Sequence, residues 1–96
     1  MSKTATMHYV YILENGAGRW YTGCTNDLKR RVQEHNNGKS RYTKSHGPYE
    51  LIYYEACLDD KDAFAREKYL KSGMGKRYVK NRLKSYFKTR GLNESR

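Results

Sequence analysis

The feature that most limits how this chain can fold is a pair of short apolar and aromatic runs on either side of a turn. Residues 8–13 carry Tyr9, Val10, Tyr11, Ile12 and Leu13 in succession, Glu14-Asn15-Gly16-Ala17-Gly18-Arg19 supplies turn residues, and a second run covers residues 20–25. Runs this short, bounded by glycine and asparagine, read as a β-hairpin. A third run at 49–57, rich in Leu, Ile and Tyr, reads as a further strand.

Helical signals fill the intervals. Asn26 or Asp27 can cap a helix whose apolar positions Leu28 and Val32 lie four apart, and Asn36-Asn37-Gly38 ends it. Residues 39–48 are polar, basic and glycine-containing, which marks a loop. Asp59, with Asp62 three residues on, resembles a capping arrangement for a helix to about residue 72, with Gly73 as its stop. A last helix is expected over about 76–88, with Val79, Leu83 and Tyr86 on one stripe. At 96 residues the chain fits one core. The expected fold is α/β, a small three-stranded, mainly antiparallel sheet with about three flanking helices, occupying 8–88 between flexible tails at 1–7 and 89–96.

Charge narrows the partner. Twenty Lys and Arg against ten Asp and Glu give a net charge of +10, which calls for a polyanion. Nucleic acid leads, with an acidic membrane surface or an acidic protein behind it. No apolar stretch approaches the roughly 18 residues of a bilayer span, and residues 1–7 lack the apolar centre of a signal peptide, so a cytoplasmic protein without a membrane partner is expected. Cys24 and Cys57 are expected to be reduced and core-facing.

A few residues stand apart from packing. Glu67 falls between Ala63 and Leu70 on one side and Phe64 on the other, inside what reads as the buried arc of its helix. Either it holds a cation there, for which Mg²⁺ or Mn²⁺ suits a lone carboxylate, or it reaches past the arc to a nearby Arg or a backbone donor. Arg31 and His35 lie one turn apart beside Leu28 and Val32. Arginine's planar fork matches a phosphate, and histidine can relay a proton; a solvated charge and a satisfied, partly buried imidazole are the plainer readings. A phenol near pKa 10 is only about a thousandth ionised at neutral pH, so a tyrosine base needs a cation or a proton-accepting His beside it. Of the ten tyrosines, Tyr9, Tyr53 and Tyr54 are assigned to the sheet and Tyr42 to base stacking.

Taken together, Tyr9-Val10-Tyr11, Tyr21-Thr22-Gly23, the segment 26–35 carrying Arg31 and His35, and Ala65-Arg66-Glu67-Lys68-Tyr69-Leu70-Lys71 resemble the GIY-YIG endonuclease domain in order and separation. The resemblance covers nearly the whole chain and is greatest to the small, one-domain bacterial members. It implies a metal-dependent endonuclease that hydrolyses phosphodiester bonds, with DNA as the expected substrate. Tyr11, Tyr21, Arg31, His35 and Glu67 are the implied catalytic residues, with Glu67 as the metal ligand for Mg²⁺ or Mn²⁺. Asn81 resembles the family's late phosphate-positioning Asn, although it also falls among Arg77, Lys80 and Lys84 on a basic helix face. Those three, with Arg41 and Lys44 of the loop, are candidate phosphate contacts. Gly23 is expected to let the second strand end in a tight turn. A non-catalytic nucleic-acid-binding module on the same scaffold is the alternative. A monomer is expected, with sequence specificity either weak or supplied by a partner protein.

Overall fold

The computed structural model describes the backbone of residues 6–38 and 48–94 and the side chains of those residues through Arg90. The loop bearing Arg41, Tyr42 and Lys44 lies outside the described residues. In chain order the elements are β1 (His8–Asn15), β2 (Trp20–Thr25), α1 (Leu28–Asn36), β3 (Tyr49–Cys57), α2 (Asp60–Lys71), α3 (Gly73–Arg82) and α4 (Lys84–Glu94). The strands form one antiparallel sheet in the order β2-β1-β3.

Placing β1 in the centre accounts for its unbroken apolar run. Val10, Tyr11, Ile12 and Leu13 are all essentially buried because both faces of the strand are covered. Val10 and Ile12 pack with Ala63, Leu70 and Val79 of α2 and α3, whereas Tyr11, Leu13 and Tyr49 pack with Leu28 and Val32 of α1. The hairpin closes where the Asn15 Oδ1 accepts the amides of Ala17 (3.0 Å) and Arg19 (2.9 Å), with Gly18 at φ +82°. β1 therefore continues to Asn15, two residues beyond the apolar run.

Side chains fix the helices at their ends. The Asp27 carboxylate caps α1 by accepting from the Arg30 amide, and Gly38 at φ +75° follows its close. The Asn36 amide group donates to the Tyr49 carbonyl (2.9 Å) and accepts from the Tyr49 amide (2.7 Å), which ties the end of α1 to the start of β3. Asp59 caps α2 through the Lys61 amide at 2.8 Å. The forked guanidinium of Arg66 then holds α2 to β3, donating to both oxygens of Glu55 at 2.9 and 2.8 Å.

The C-terminal half departs from the sequence pattern. Gly73 does not stop α2 but begins α3, because Ser72 serves as the C-cap of one helix and the N-cap of the next, its hydroxyl donating to the Tyr69 carbonyl and accepting from the Gly75 amide. The glycine that this corner requires is Gly75, where a Cβ would stand 2.0 Å from the Tyr69 carbonyl oxygen. The single helix expected over 76–88 is two helices, broken at Leu83, so four helices flank the sheet. The break leaves Val79 in the core and brings Phe87 of α4 against Trp20, their rings 6.1 Å apart and 14° from parallel. α4 runs on to Glu94, anchored by an ion pair from Arg90 to Glu14.

Candidate active site

Strand register gathers the first part of the site. Tyr11 on β1 faces Gly23 on β2, and the missing side chain there makes room for the phenol: a Cβ on Gly23 would lie 2.5 Å from the Tyr11 Oη and 2.7 Å from its Cζ. Gly23 is thus a packing position inside the strand, not the turn expected from sequence; the positive-φ glycines of the described residues are Gly18 and Gly38. The Tyr11 Oη is 3.0 Å from the Nε2 of His35 on α1, and both residues are 1% exposed. Tyr21 closes the group, its ring centroid 4.7 Å from that of His35 and 6.3 Å from that of Tyr11.

Burial sets the charge state of both partners. Burial pushes the Tyr11 phenol up to about 12, against the opposing pull of a hydrogen bond from Arg31. Burial lowers His35 to about 4, and the Arg31 charge adds to that. The pair is therefore a neutral phenol and a neutral imidazole. One hydrogen bond joins the Tyr11 Oη and the His35 Nε2, its direction set by the imidazole tautomer, and Arg31 acts on the same phenol. Arg31 is itself held by Glu34, Nη1 to Oε1 at 2.9 Å, one turn along α1.

Glu67 approaches from α2. It acts directly on the Cys24 thiol and lies within electrostatic reach of the Tyr11 phenol. The Cys24 thiol, pushed up to about 12 chiefly by burial and then by Glu67, remains protonated and donates to the Ala63 carbonyl at 3.4 Å. The sequence expectation for Glu67 needs correction. Phe64 is 56% exposed, so the apolar arc of α2 is narrower than the pattern suggests, and Glu67 lies at its margin with its side chain 23% exposed. Its carboxylate reaches the ammonium of Lys71, 3.1 Å away, and not an Arg.

That ion pair also bears on metal binding. The Lys71 ammonium puts a positive charge against the Glu67 carboxylate on a partly open surface. A magnesium-sized cation fits such a place, since it needs few protein ligands and keeps several waters. No group of three or more His, Cys, Asp and Glu that could hold a metal occurs among the described residues. An ion here would accordingly be held by Glu67, water and oxygens of a bound phosphate.

Residues 7–78 match the GIY-YIG catalytic domain. The chain belongs to the GIY-YIG family. It is similar to a UPF0213 protein of Clostridium perfringens, CPE1444, 44% identical over 66 residues, covering 68% of this chain and 71% of that one. It is also similar to the UPF0213 protein YazA of Bacillus subtilis, 42% identical over 65 residues, covering 67% and 66%. A solution NMR structure of the UPF0213 protein BH0048 from Bacillus halodurans aligns with a TM-score of 0.49 at 39% identity, covering 76% of this chain and 81% of that one. The domain is accordingly of a nuclease type. Such domains interact with nucleic acid and in general depend on a divalent metal ion.

Not every residue that the GIY-YIG resemblance singled out joins the cluster. Asn81 is exposed on α3, and no described contact links it to the tyrosines. Arg77 is likewise exposed, while Lys80 and Lys84 line a groove with Glu14, Trp20 and Phe87 at the hairpin end of the sheet. Arg41 and Lys44 fall outside the described residues. Glu34, the partner of Arg31, went unnoticed in the sequence; its spacing of three from Arg31 on a helix is the signal that points to it. No helix among the described residues is long and apolar enough to cross a membrane.

Proposed function

We propose that this domain is a metal-dependent endonuclease that hydrolyses phosphodiester bonds in DNA. The observation that carries the reading is the buried contact of Tyr11 with His35, flanked by Arg31 and Tyr21 and approached by Glu67. In this mechanism the Tyr11 oxygen takes the proton of the attacking water while its own proton passes to the His35 Nε2. Burial, with the Arg31 charge adding to it, keeps His35 a weak base. A bound phosphate neutralises the Arg31 charge and so removes that smaller part of the depression. Arg31 exchanges Glu34 for the phosphate and stabilises the charge of the pentavalent transition state. Tyr21 orients the water or the phosphate. Glu67 would hold Mg²⁺ or Mn²⁺, which supplies positive charge near the leaving 3′ oxygen. Lys80, Lys84, Arg77 and Asn81 bind the nucleic-acid backbone.

A second reading, a nucleic-acid-binding module on the nuclease scaffold, draws on the near-complete burial of Tyr11 and His35, which separates both from water in this state. Incubation with duplex, nicked, flap, branched and single-stranded DNA in Mg²⁺, Mn²⁺ or chelator separates the two. Metal-dependent cutting by the wild type that Glu67→Gln abolishes is the expected result. Binding without cutting on every substrate and with either metal would leave only the second reading.

A further inference from the structure

The groove of about 790 Å³ runs between the hairpin end and α3/α4, where Trp20, packed on the α2/α3 side of the sheet, and Tyr49, packed with Tyr11 and Leu13, both reach its lining. Its wall is aromatic. Trp20 and Phe87 stand nearly parallel, and the Arg90 guanidinium lies 4.9 Å over the Phe87 ring. The indole cannot turn freely, because its Nε1 donates to the Glu14 Oε2 at 3.1 Å, and Glu14, only 7% exposed, is closed from the other side by Arg90. Lys76 and Lys80, one turn apart on α3, and Lys84 at the start of α4 line the same groove, with Arg19 at the hairpin end. A fixed aromatic wall beside a row of cations fits a ligand that repeats flat bases and phosphates together. In a duplex the base faces are stacked on one another and cannot lie against side chains, whereas an unpaired strand presents them.

We infer that this groove is a second nucleic-acid site, one that holds an unpaired strand with a base against Trp20 and Phe87 and its phosphates on Lys76, Lys80 and Lys84. The inference deepens the nuclease reading, on which it rests, by naming substrates with an unpaired segment. Trp20 is the one tryptophan in the chain. It therefore reports base stacking directly through quenching of its fluorescence, in chelator and without any cleavage.

The test titrates the protein with an unpaired oligonucleotide, a blunt hairpin duplex of equal charge, inorganic polyphosphate and a nucleoside monophosphate. Saturable quenching by the oligonucleotide alone is expected, with its affinity lowered about tenfold or more in Phe87→Ala and unchanged in Tyr11→Phe. Equal quenching by the blunt duplex or by polyphosphate would overturn the inference, as would saturation by the monophosphate at the same concentration, which would mark a mononucleotide pocket. Cleavage without quenching would sink the groove and spare the nuclease. Quenching without cleavage of any substrate in Mg²⁺ or Mn²⁺ would do the reverse.

Discussion

Substituting Gly23 by Ala should damage this protein through one atom of its candidate active site. The new Cβ would stand 2.5 Å from the Tyr11 Oη and 2.7 Å from its Cζ, where ordinary contact begins at 3.4 Å, so the ring must retreat by about 1 Å. It has nowhere easy to go, being 1% exposed and held by His35. Overpacking of this kind costs about 1–3 kcal/mol, and loss of the hydrogen bond adds about 1 kcal/mol. Against this, Ala in a strand is favoured over Gly by about 0.5–1 kcal/mol. A net destabilisation of about 2–3 kcal/mol is expected, with cleavage lost because the phenol has moved. Urea denaturation followed by Trp20 fluorescence measures the cost. The decisive comparison repeats the substitution in a Tyr11→Ala background, where the obstacle is gone and Gly23→Ala should become neutral or stabilising. Equal destabilisation in both backgrounds would show that the strand backbone, not the phenol, requires glycine, and the account of the Tyr11-Gly23 pair would be wrong.

Further expectations concern single groups. Tyr11→Phe and Arg31→Ala should each slow cleavage by about a hundredfold or more, with binding nearly intact in the former; near-normal turnover by Tyr11→Phe would move the proton step elsewhere. Glu67→Gln should abolish cleavage yet change stability by no more than about 0.5 kcal/mol, because the ion pair it breaks is an i,i+4 pair whose Lys71 is largely exposed and the glutamine can still meet the Cys24 thiol; destabilisation by several kcal/mol would make Glu67 a structural residue. His35 should make the fold acid-sensitive. Its imidazole takes a proton near 6.5 when unfolded and only near 4 when folded, so the unfolded chain binds more protons across that interval, and stability is full above pH 6.5 and lost as pH falls toward 4. The loss should approach about 2–3 kcal/mol and be absent from His35→Gln when urea midpoints are compared at pH 7 and 4.5. Lys80→Ala/Lys84→Ala should lower the slope of log affinity against log salt for single strands by about 1.4; an unchanged slope would remove these lysines from the phosphate contacts.

The sequence was most informative where a local rule decides the structure. Trp20–Thr25 and Tyr49–Cys57 are strands bounded by turn and loop residues, and the Asp27 and Asp59 caps occur where side-chain chemistry requires them. It was least informative where distant parts of the chain meet. Nothing around Leu83 resembles a helix breaker; the break follows from the docking of Phe87 against Trp20, 67 positions earlier in the sequence. Helical periodicity placed Phe64 in a buried arc, but periodicity gives the width of a stripe and not which part the sheet covers. Gly23 looked like a turn residue because its reason, the Tyr11 ring, appears only when β1 and β2 are paired in register. The Glu14-Arg90 pair spans 76 positions and no local pattern could announce it.

The candidate site keeps its two most chemically useful ions in weak pairs. Arg31 is held by Glu34 three residues away and Glu67 by Lys71 four residues away, both on helix surfaces and both partly exposed. Pairs of this kind are worth only a few tenths of a kcal/mol each. A phosphate arriving at Arg31 and a cation arriving at Glu67 therefore displace partners whose loss costs little. The neutral centre behaves otherwise: Tyr11 and His35 are buried, hydrogen-bonded to each other, and expensive to move. The arrangement thus separates a rigid neutral centre from an exchangeable charged rim. The ions that meet the substrate are restrained in its absence, and they are released by the same charges that they are proposed to bind.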